Sequence, residues 1–506
     1  MTATMSGLPT IVLDRTLADL YGKPEHPHTN TAHIYCGVTS ASDLTPDFPR
    51  NLKYIYQEAA FNDPQHDESD ERARRSLAIK MLSLVSQRDS FITGSSPVVF
   101  FRLDQTEKGK IQDEEEQART LAVLAESQRP NVLFCQGPLD VHYITKHHNI
   151  SAVTSKVVVD AVAEATDNPP GRGLTSLVEL DKIWYLNSKE ALAKSGLPTP
   201  KSTVTELEEY EDGAKFCTPG IEDSLDESPF DSRRPSGYNV WMEQQVSAII
   251  TDLRKRPLPF VVKGNQSFGG ASTWVLTSEE DRERLIDDLM TGGLLRKLLS
   301  YITANNEHLN LGTVVIQEVV HDPVQDIGLT FFVKADGASE FLAASEQMID
   351  RKSSAWIGST IDYSKQDEWR KDLKPLMQRI GSWLHEQAYF GPVGADILET
   401  KSGERLIVDL NVRTTGSLCL PLLSTHFTCR GLNAASSFSV TVEQDRDQFI
   451  DAWRNEFEEG RFIIVAWYHE ASLGTSYGDV VVGAKDQVEL QEVIGKVRSM
   501  SRSVTF

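Results

Sequence analysis

The sequence predicts a mixed α/β protein built from several packed units, and three stretches carry that prediction. Residues 97–135 read strand, helix, strand, the order of a βαβ unit with parallel strands. Residues 391–411 read as an antiparallel hairpin, two β-branched apolar runs around a turn. Residues 259–276 read as a strand ending in lysine, a small-residue loop and a second strand. At 506 residues the chain can bury more than one core, and its 40% hydrophobic content is that of an ordinary globular protein.

Taken in order, residues 1–180 form the first predicted unit. A first strand is expected at Thr10–Asp14 and a clearer one at Pro97–Phe101. A helix spans Ile111–Gln128, acidic early at Glu114–Glu116 and apolar later at Leu121, Val123 and Leu124. Asn131–Cys135 is a further buried strand. The charged run His66–Arg75 reads as a solvated helix start or loop. His142, His147 and His148 have no acid or cysteine at ligand spacing, so they read as exposed or capping residues. A helix from Asp181 follows, capped by Gly196 and stopped by Pro198 and Pro200. Residues 206–237 are acidic, rich in Pro, Gly and Ser and without period, and read as an inserted flexible loop. Ser278–Leu299 is an amphipathic helix and Thr313–Val320 a strand. Strands follow at Gly328–Val333 and Glu340–Ala344, then a polar loop at Ser345–Thr360, where Arg351 and Lys352 are weaker candidates for gripping an anion. Asp367–Gln387 is a helix that leads into the hairpin. The tail, 440–506, holds strands at Arg461–Trp467 and Asp479–Gly483 and a helix at Gln487–Arg502.

The chemistry concentrates in the hairpin. Its strands, Val393–Glu399 and Arg405–Asn411, flank a turn rich in turn formers, so Asp396 and Asp409 can approach each other, and Asn411, two residues past Asp409, shares its face. Two carboxylates and an amide oxygen are hard ligands suited to Mg²⁺ that keeps waters and takes further ligands from phosphates. Alone, an Asp-x-Asn pair is equally compatible with a solvated strand end. The partner stretch is Pro259–Thr273, where Lys263 ends a strand and small residues let backbone N–H groups approach phosphate oxygens. It is neither a GxxxxGK[ST] loop nor a GxGxxG turn opening a helix.

Together these stretches resemble the ATP-grasp superfamily of carboxylate–amine ligases, over roughly residues 181–417. One departure is Asp409, where the family usually has Glu in the acid-x-Asn pair. The resemblance implies an ATP-grasp fold: an N-terminal α/β domain (1–180), a small lobe (181–320, with the 206–237 insertion), a large lobe with the metal site (321–435) and a small C-terminal module (440–506). It implies Mg²⁺, with Mn²⁺ as a substitute, on Asp396, Asp409 and Asn411. It places ATP against Lys182, Lys263, Ser267, Gly269 and Gly270, with the adenine edge along Gln317, Glu318, Val319 and Val320 and the ribose near Asp326. Arg413, two residues after Asn411, would hold the acylphosphate or its parent carboxylate. Thr414–Ser417 would complete an anion pocket or form a plain turn. The tail resembles the C-terminal module of pheganomycin-type peptide ligases. The implied activity is ADP-forming amide or peptide bond formation between small molecules, in specialised metabolism. An ATP-grasp phosphotransferase or carboxylase, and a nucleotide-binding regulator without turnover, are the alternatives; no biotin-carrier signature is present.

The formal net charge of −22 argues against nucleic acid and anionic membranes as partners. Five scattered cysteines without C-x-x-C argue against a zinc knuckle or disulfide framework and fit a reducing compartment. The first residues lack a basic, then apolar, leader pattern, and no apolar run approaches membrane-spanning length, so a cytoplasmic protein is expected. Homodimers are common in the resembling superfamily.

Overall fold

Residues 7–22, 30–36, 40, 43–57, 82–104, 106–167, 174–208, 236–267, 270–290, 293–349, 356–471 and 473–500 are described by the computed structural model. His66–Arg75, most of the 206–237 insertion, Gly269, Arg351 and Lys352 lie outside them.

The first sheet contains β1 (Thr31–Ile34), β2 (Val98–Phe101), β3 (Val132–Cys135), β4 (Ala152–Ser155) and β5 (Thr175–Ser176), in the order β3-β2-β1-β4-β5. Every pairing is parallel, and β2 is buried along its whole length, as a sheet covered on both faces requires. The expected βαβ unit is present: a helix over Glu107–Ala122, capped by the Thr106 hydroxyl, carries the chain from β2 to β3. The strand expected at Thr10–Asp14 is not. Ile11 makes one isolated bridge to Leu124, and the first strand is instead Thr31–Ile34. The chain lays β1, β2 and β3 in one direction and then crosses back to β4. The C-terminal ends of β1 and β4 therefore flank a topological switch point, where open α/β sheets leave a crevice.

The second sheet, β6 (Ser202–Val204), β7 (Phe260–Gly264), β8 (Thr273–Leu276) and β9 (Val314–Glu318), is antiparallel in the order β6-β9-β7-β8. Helices Ser236–Lys255, Glu279–Met290 and Leu294–Ser300 bury Leu253, Leu285, Leu295 and Leu299 in the same core as Val262 and Ile316. The single helix expected over Ser278–Leu299 is two helices, because Gly293 takes a left-handed φ of 71° at the start of the second.

After β9, residues 319–324 cross to the third sheet: β10 (Gln325–Val333), β11 (Ser339–Ile349), β12 (Trp356–Asp362), β13 (Gly391–Glu399), β14 (Arg405–Asn411), β15 (Ala434–Val442), β16 (Phe462–Glu470) and β17 (Thr475–Ala484). Its order is β14-β13-β10-β11-β12-β15-β17-β16, antiparallel throughout. The helix Gln366–Glu386 lays Leu373, Met377, Ile380 and Leu384 into the core. One expectation changes here. The polar stretch Ser345–Thr360 is largely strand, the end of β11 and most of β12, pairing Glu346 with Thr360 and Gln347 with Ser359. Within it Gln347, fixed by Ser359, reaches the site described below. The strands of the 440–506 module join the large sheet, β17 pairing along all of β15.

Candidate active site

The hairpin forms as the spacing predicts. Asp396 and Asp409 are register partners, and Gly394 faces Asn411, so both carboxylates and the amide occupy one face. The register shifts just beyond Asp396, leaving Val408 as an extra residue on β14. Its carbonyl turns to the second sheet, where Lys263 Nζ donates to it at 2.5 Å. The neighbouring strand is cut back to make room. Gly328 stands opposite Asp396, and a Cβ there would lie 2.5 Å from Gln347 Nε2. Gln347 therefore reaches across β10 and donates to Asp396 Oδ1 at 2.8 Å, its own Oε1 fixed by the Ser359 hydroxyl at 3.0 Å.

Three cations meet this face. Lys189 Nζ, only 7% exposed, sits 2.5 Å from Asp409 Oδ1. Lys263 comes from the end of β7. Arg413 donates from Nη2 to Asn411 Oδ1 and from Nη1 to Asn187 Oδ1, both at 2.6 Å. Lys189 is delivered by local sequence: Ser188 caps the helix Lys189–Lys194, and the β7–β8 loop clamps the same turn, Asn265 O accepting from Lys189 N and Asn265 Oδ1 from Glu190 N. Asn187 locks Arg413 by also accepting from Val412 N and donating to Ile183 O.

The charges divide the two aspartates. Burial would raise both. Asp409 is nevertheless held below its ordinary range by the Lys189 and Lys263 ammoniums, whereas Asp396 is pushed up by burial, by Asp409 opposite and by Asp326. Burial pushes Lys263 down to about 8 against the pull of Asp409. One carboxylate is thus balanced by protein cations, and the other is a buried acid that a divalent cation would relieve. Among the described residues no group of three or more His, Cys, Asp or Glu is arranged for a metal. The donor set here is two carboxylates and an amide oxygen, which fits Mg²⁺ completed by water and phosphate oxygens.

Of the residues singled out from sequence, Asp396, Asp409, Asn411, Lys263 and Arg413 come together. Asp326 lies on β10 near the rim of this face, close enough for its charge to act on Asp396. Lys182 stands apart, 44% exposed and paired with Glu179, while its neighbour Asp181 ties units together through Tyr54, Lys53 and His308. The physical reason is helix phase: Lys182 projects outward from Leu180–Leu186, whereas Lys189 opens the next helix on the inner side. Ser267 bridges to Gln57, and Gly270 adopts φ 85° in the β7–β8 turn. Gln317 is buried, with its amide spent on Thr199 and Ser202, and Glu318 turns its carboxylate outward toward Lys201. Val319 and Val320 begin the crossing to the third sheet. Lys189, Gln347 and Asn187 were not singled out from sequence. The Ser188 cap ahead of Lys189 was the available signal; nothing local marked Gln347.

No protein-family model and no curated protein matches the chain. Among solved structures it is similar to N5-carboxyaminoimidazole synthetase from Staphylococcus aureus complexed with ADP, at 10% identity and TM-score 0.47 over 95% of this chain and 99% of that one. It is similar to biotin carboxylase from Campylobacter jejuni at 10% identity and TM-score 0.46, covering 94% and 91%. It is also similar to L-amino acid ligase from Bacillus licheniformis at 10% identity and TM-score 0.45, covering 93% and 97%.

Proposed function

We propose that this chain is an ATP-grasp enzyme that joins a carboxylate to an amine on small molecules, consuming ATP and releasing ADP and phosphate. The observation that carries the reading is the convergence of Lys189 and Lys263, from two different elements, on the two-carboxylate face of β13–β14. That alternation of buried acid and base between two sheets suits a triphosphate accompanied by a divalent cation.

Asp396, Asp409 and Asn411 would hold Mg²⁺, which supplies neutralisation of phosphate charge when bound. Lys189 and Lys263 would then transfer their charge from Asp409 and the Val408 carbonyl to phosphate oxygens. The adenine edge would lie along the main chain of Val319 and Val320, beside Gln317 and Glu318, with Asp326 toward the ribose and Ser267, Gly269 and Gly270 over the phosphates. Arg413 would pair with the reacting carboxylate. A carboxylate oxygen attacks the γ-phosphorus as the bond to the β-phosphate oxygen breaks, releasing ADP. The amine nitrogen then attacks the acyl carbon, the carbon–oxygen bond to phosphate breaks, and the amine gives its proton to solvent. Positioning and charge neutralisation supply most of the rate. Peptide bond formation in specialised metabolism is the finer form of this proposal. Units divided near residues 180 and 320 are its working architecture.

The test is ADP and phosphate release from Mg-ATP with pooled amino acids and small carboxylates. Release that requires both a carboxylate and an amine supports a ligase. ATP binding without release under any pairing would favour the regulatory alternative.

A further inference from the structure

The crevice at the switch point between β1 and β4 is lined from six segments. His33 and Tyr35 follow from β1, Thr154, Ser155 and Lys156 from the end of β4, and Arg413 and Thr414 from beyond the hairpin. Leu17, Val178, Ile183 and Phe390 form an apolar wall. The polar wall is built around a buried ion pair. Lys156 Nζ lies 2.6 Å from Asp89 Oδ2, and the same oxygen accepts from Thr414 Oγ1 at 3.1 Å, so Lys156 is fixed to the turn that carries Arg413. An ammonium has three donors, of which Asp89 takes one. Burial pushes Lys156 down to about 8, so it stays charged at neutral pH. Ser155 Oγ, on the same wall, is buried with no hydrogen-bond partner among the described residues. A buried orphan hydroxyl beside a buried ammonium calls for an acceptor. Burial holds His33 neutral, about 3, with Nδ1 on the Tyr35 hydroxyl at 2.9 Å, so it adds no charge of its own.

We propose, resting on the ligase reading above, that this crevice receives the anionic end of the carboxylate substrate, and that Lys156 and Ser155 contact that end alongside Arg413. Lys156 is positioned through a relay to the last strands. Asp89 holds Lys156, and its neighbour Arg88 is anchored to Asp479 on β17 at 2.9 Å, while Gln87 hydrogen-bonds both backbone groups of Trp467 on β16. The C-terminal strands thereby set where the substrate anion sits, through Asp479 and Arg88 as positioning residues.

The test is calorimetric titration of the full chain with benzoate, with 4-methylpentanoate and, separately, with Mg-ATP. At least one acid binds the wild type. Its affinity falls about ten-fold or more in K156M and returns to within about three-fold in K156R, while Mg-ATP affinity is unchanged. The pair K156M with D89N removes both charges together and keeps the test open where K156M alone leaves Asp89 buried and unpaired. D479N weakens the acid without moving Mg-ATP affinity, a split that a merely structural role would not give. Acids that bind wild type and K156M alike, or neither acid binding wild type, overturn the proposal. Acids that bind through Lys156 in a chain that does not bind Mg-ATP leave the crevice standing and remove the ligase reading instead.

Discussion

The hairpin face and the switch-point crevice are both buried and polar, yet they are built around different groups, a facing pair of aspartates in one and a Lys156–Asp89 ion pair in the other. On the hairpin, Asp396 faces Asp409 across a single pair of strands, and burial with like charge keeps Asp396 protonated more readily than an ordinary aspartate. In the crevice, Lys156 and Arg413 share one wall, burial lowers both, and the Arg413 charge adds to the lowering at Lys156. On the reading proposed above, a cation would complete the first surface and an anion the second. Arg413 belongs to both, donating to Asn411 on one side and lining the crevice on the other. Reaction between a phosphate held at one surface and a carboxylate held at the other would take place beside it.

The sharpest way to break this contrast is to remove a ligand from the hairpin. Asp409→Ala or Asn411→Ala should lower ADP release by about a thousand-fold or more while the chain still melts cooperatively. Normal turnover in either variant removes the metal assignment. Next in size is Lys189→Met, which deletes the counter-ion of Asp409 and a phosphate contact together. Nucleotide affinity, read by fluorescence titration, should fall about ten- to hundred-fold. A Lys182→Met variant should stay near wild type, since that ammonium faces Glu179 at the surface.

The pH dependence sharpens the contrast further. Asp396 is an acid whose folded pKa is raised, so it contributes stability at low pH that is lost as pH rises through that raised value. Divalent cation competes with the same proton. Magnesium affinity should therefore increase with pH through this range, and the metal-free chain should lose stability over the same interval. Asp396→Asn should flatten both profiles and raise the melting temperature of the metal-free chain by a few degrees at pH 8. A variant as pH-sensitive as wild type would show that another group titrates. Smallest is Gln87→Ala, which removes two hydrogen bonds to the Trp467 backbone and should cost about 1–3 kcal/mol of stability without changing Mg-ATP affinity.

The same contrast explains what could be read from the sequence. Asp396, Asp409 and Asn411 were legible because a hairpin is local: a turn fixes register, and period 2 fixes the face. Lys263 was legible as the end of an apolar strand before a loop. Lys189 was not, because its value depends on which side of a short helix it takes, and Lys182 looked equivalent in sequence. Gln347 was hidden by a polar stretch that is strand only because β10 and β12 flank it, and its reach to Asp396 depends on a glycine on a third strand. The crevice was least legible of all. Lys156 and Asp89 are brought together by a parallel crossover, and the last two strands enter that arrangement only by joining a sheet that begins at residue 325.

The most direct test of the central claim is ADP release by the purified chain with Mg-ATP, a carboxylate panel and an amine panel, with Asp409→Ala in parallel. The expected result is release that needs carboxylate, amine and Mg²⁺ together and that disappears in the variant. Release that persists in Asp409→Ala, or a wild-type chain that neither releases ADP nor binds Mg-ATP, would contradict it.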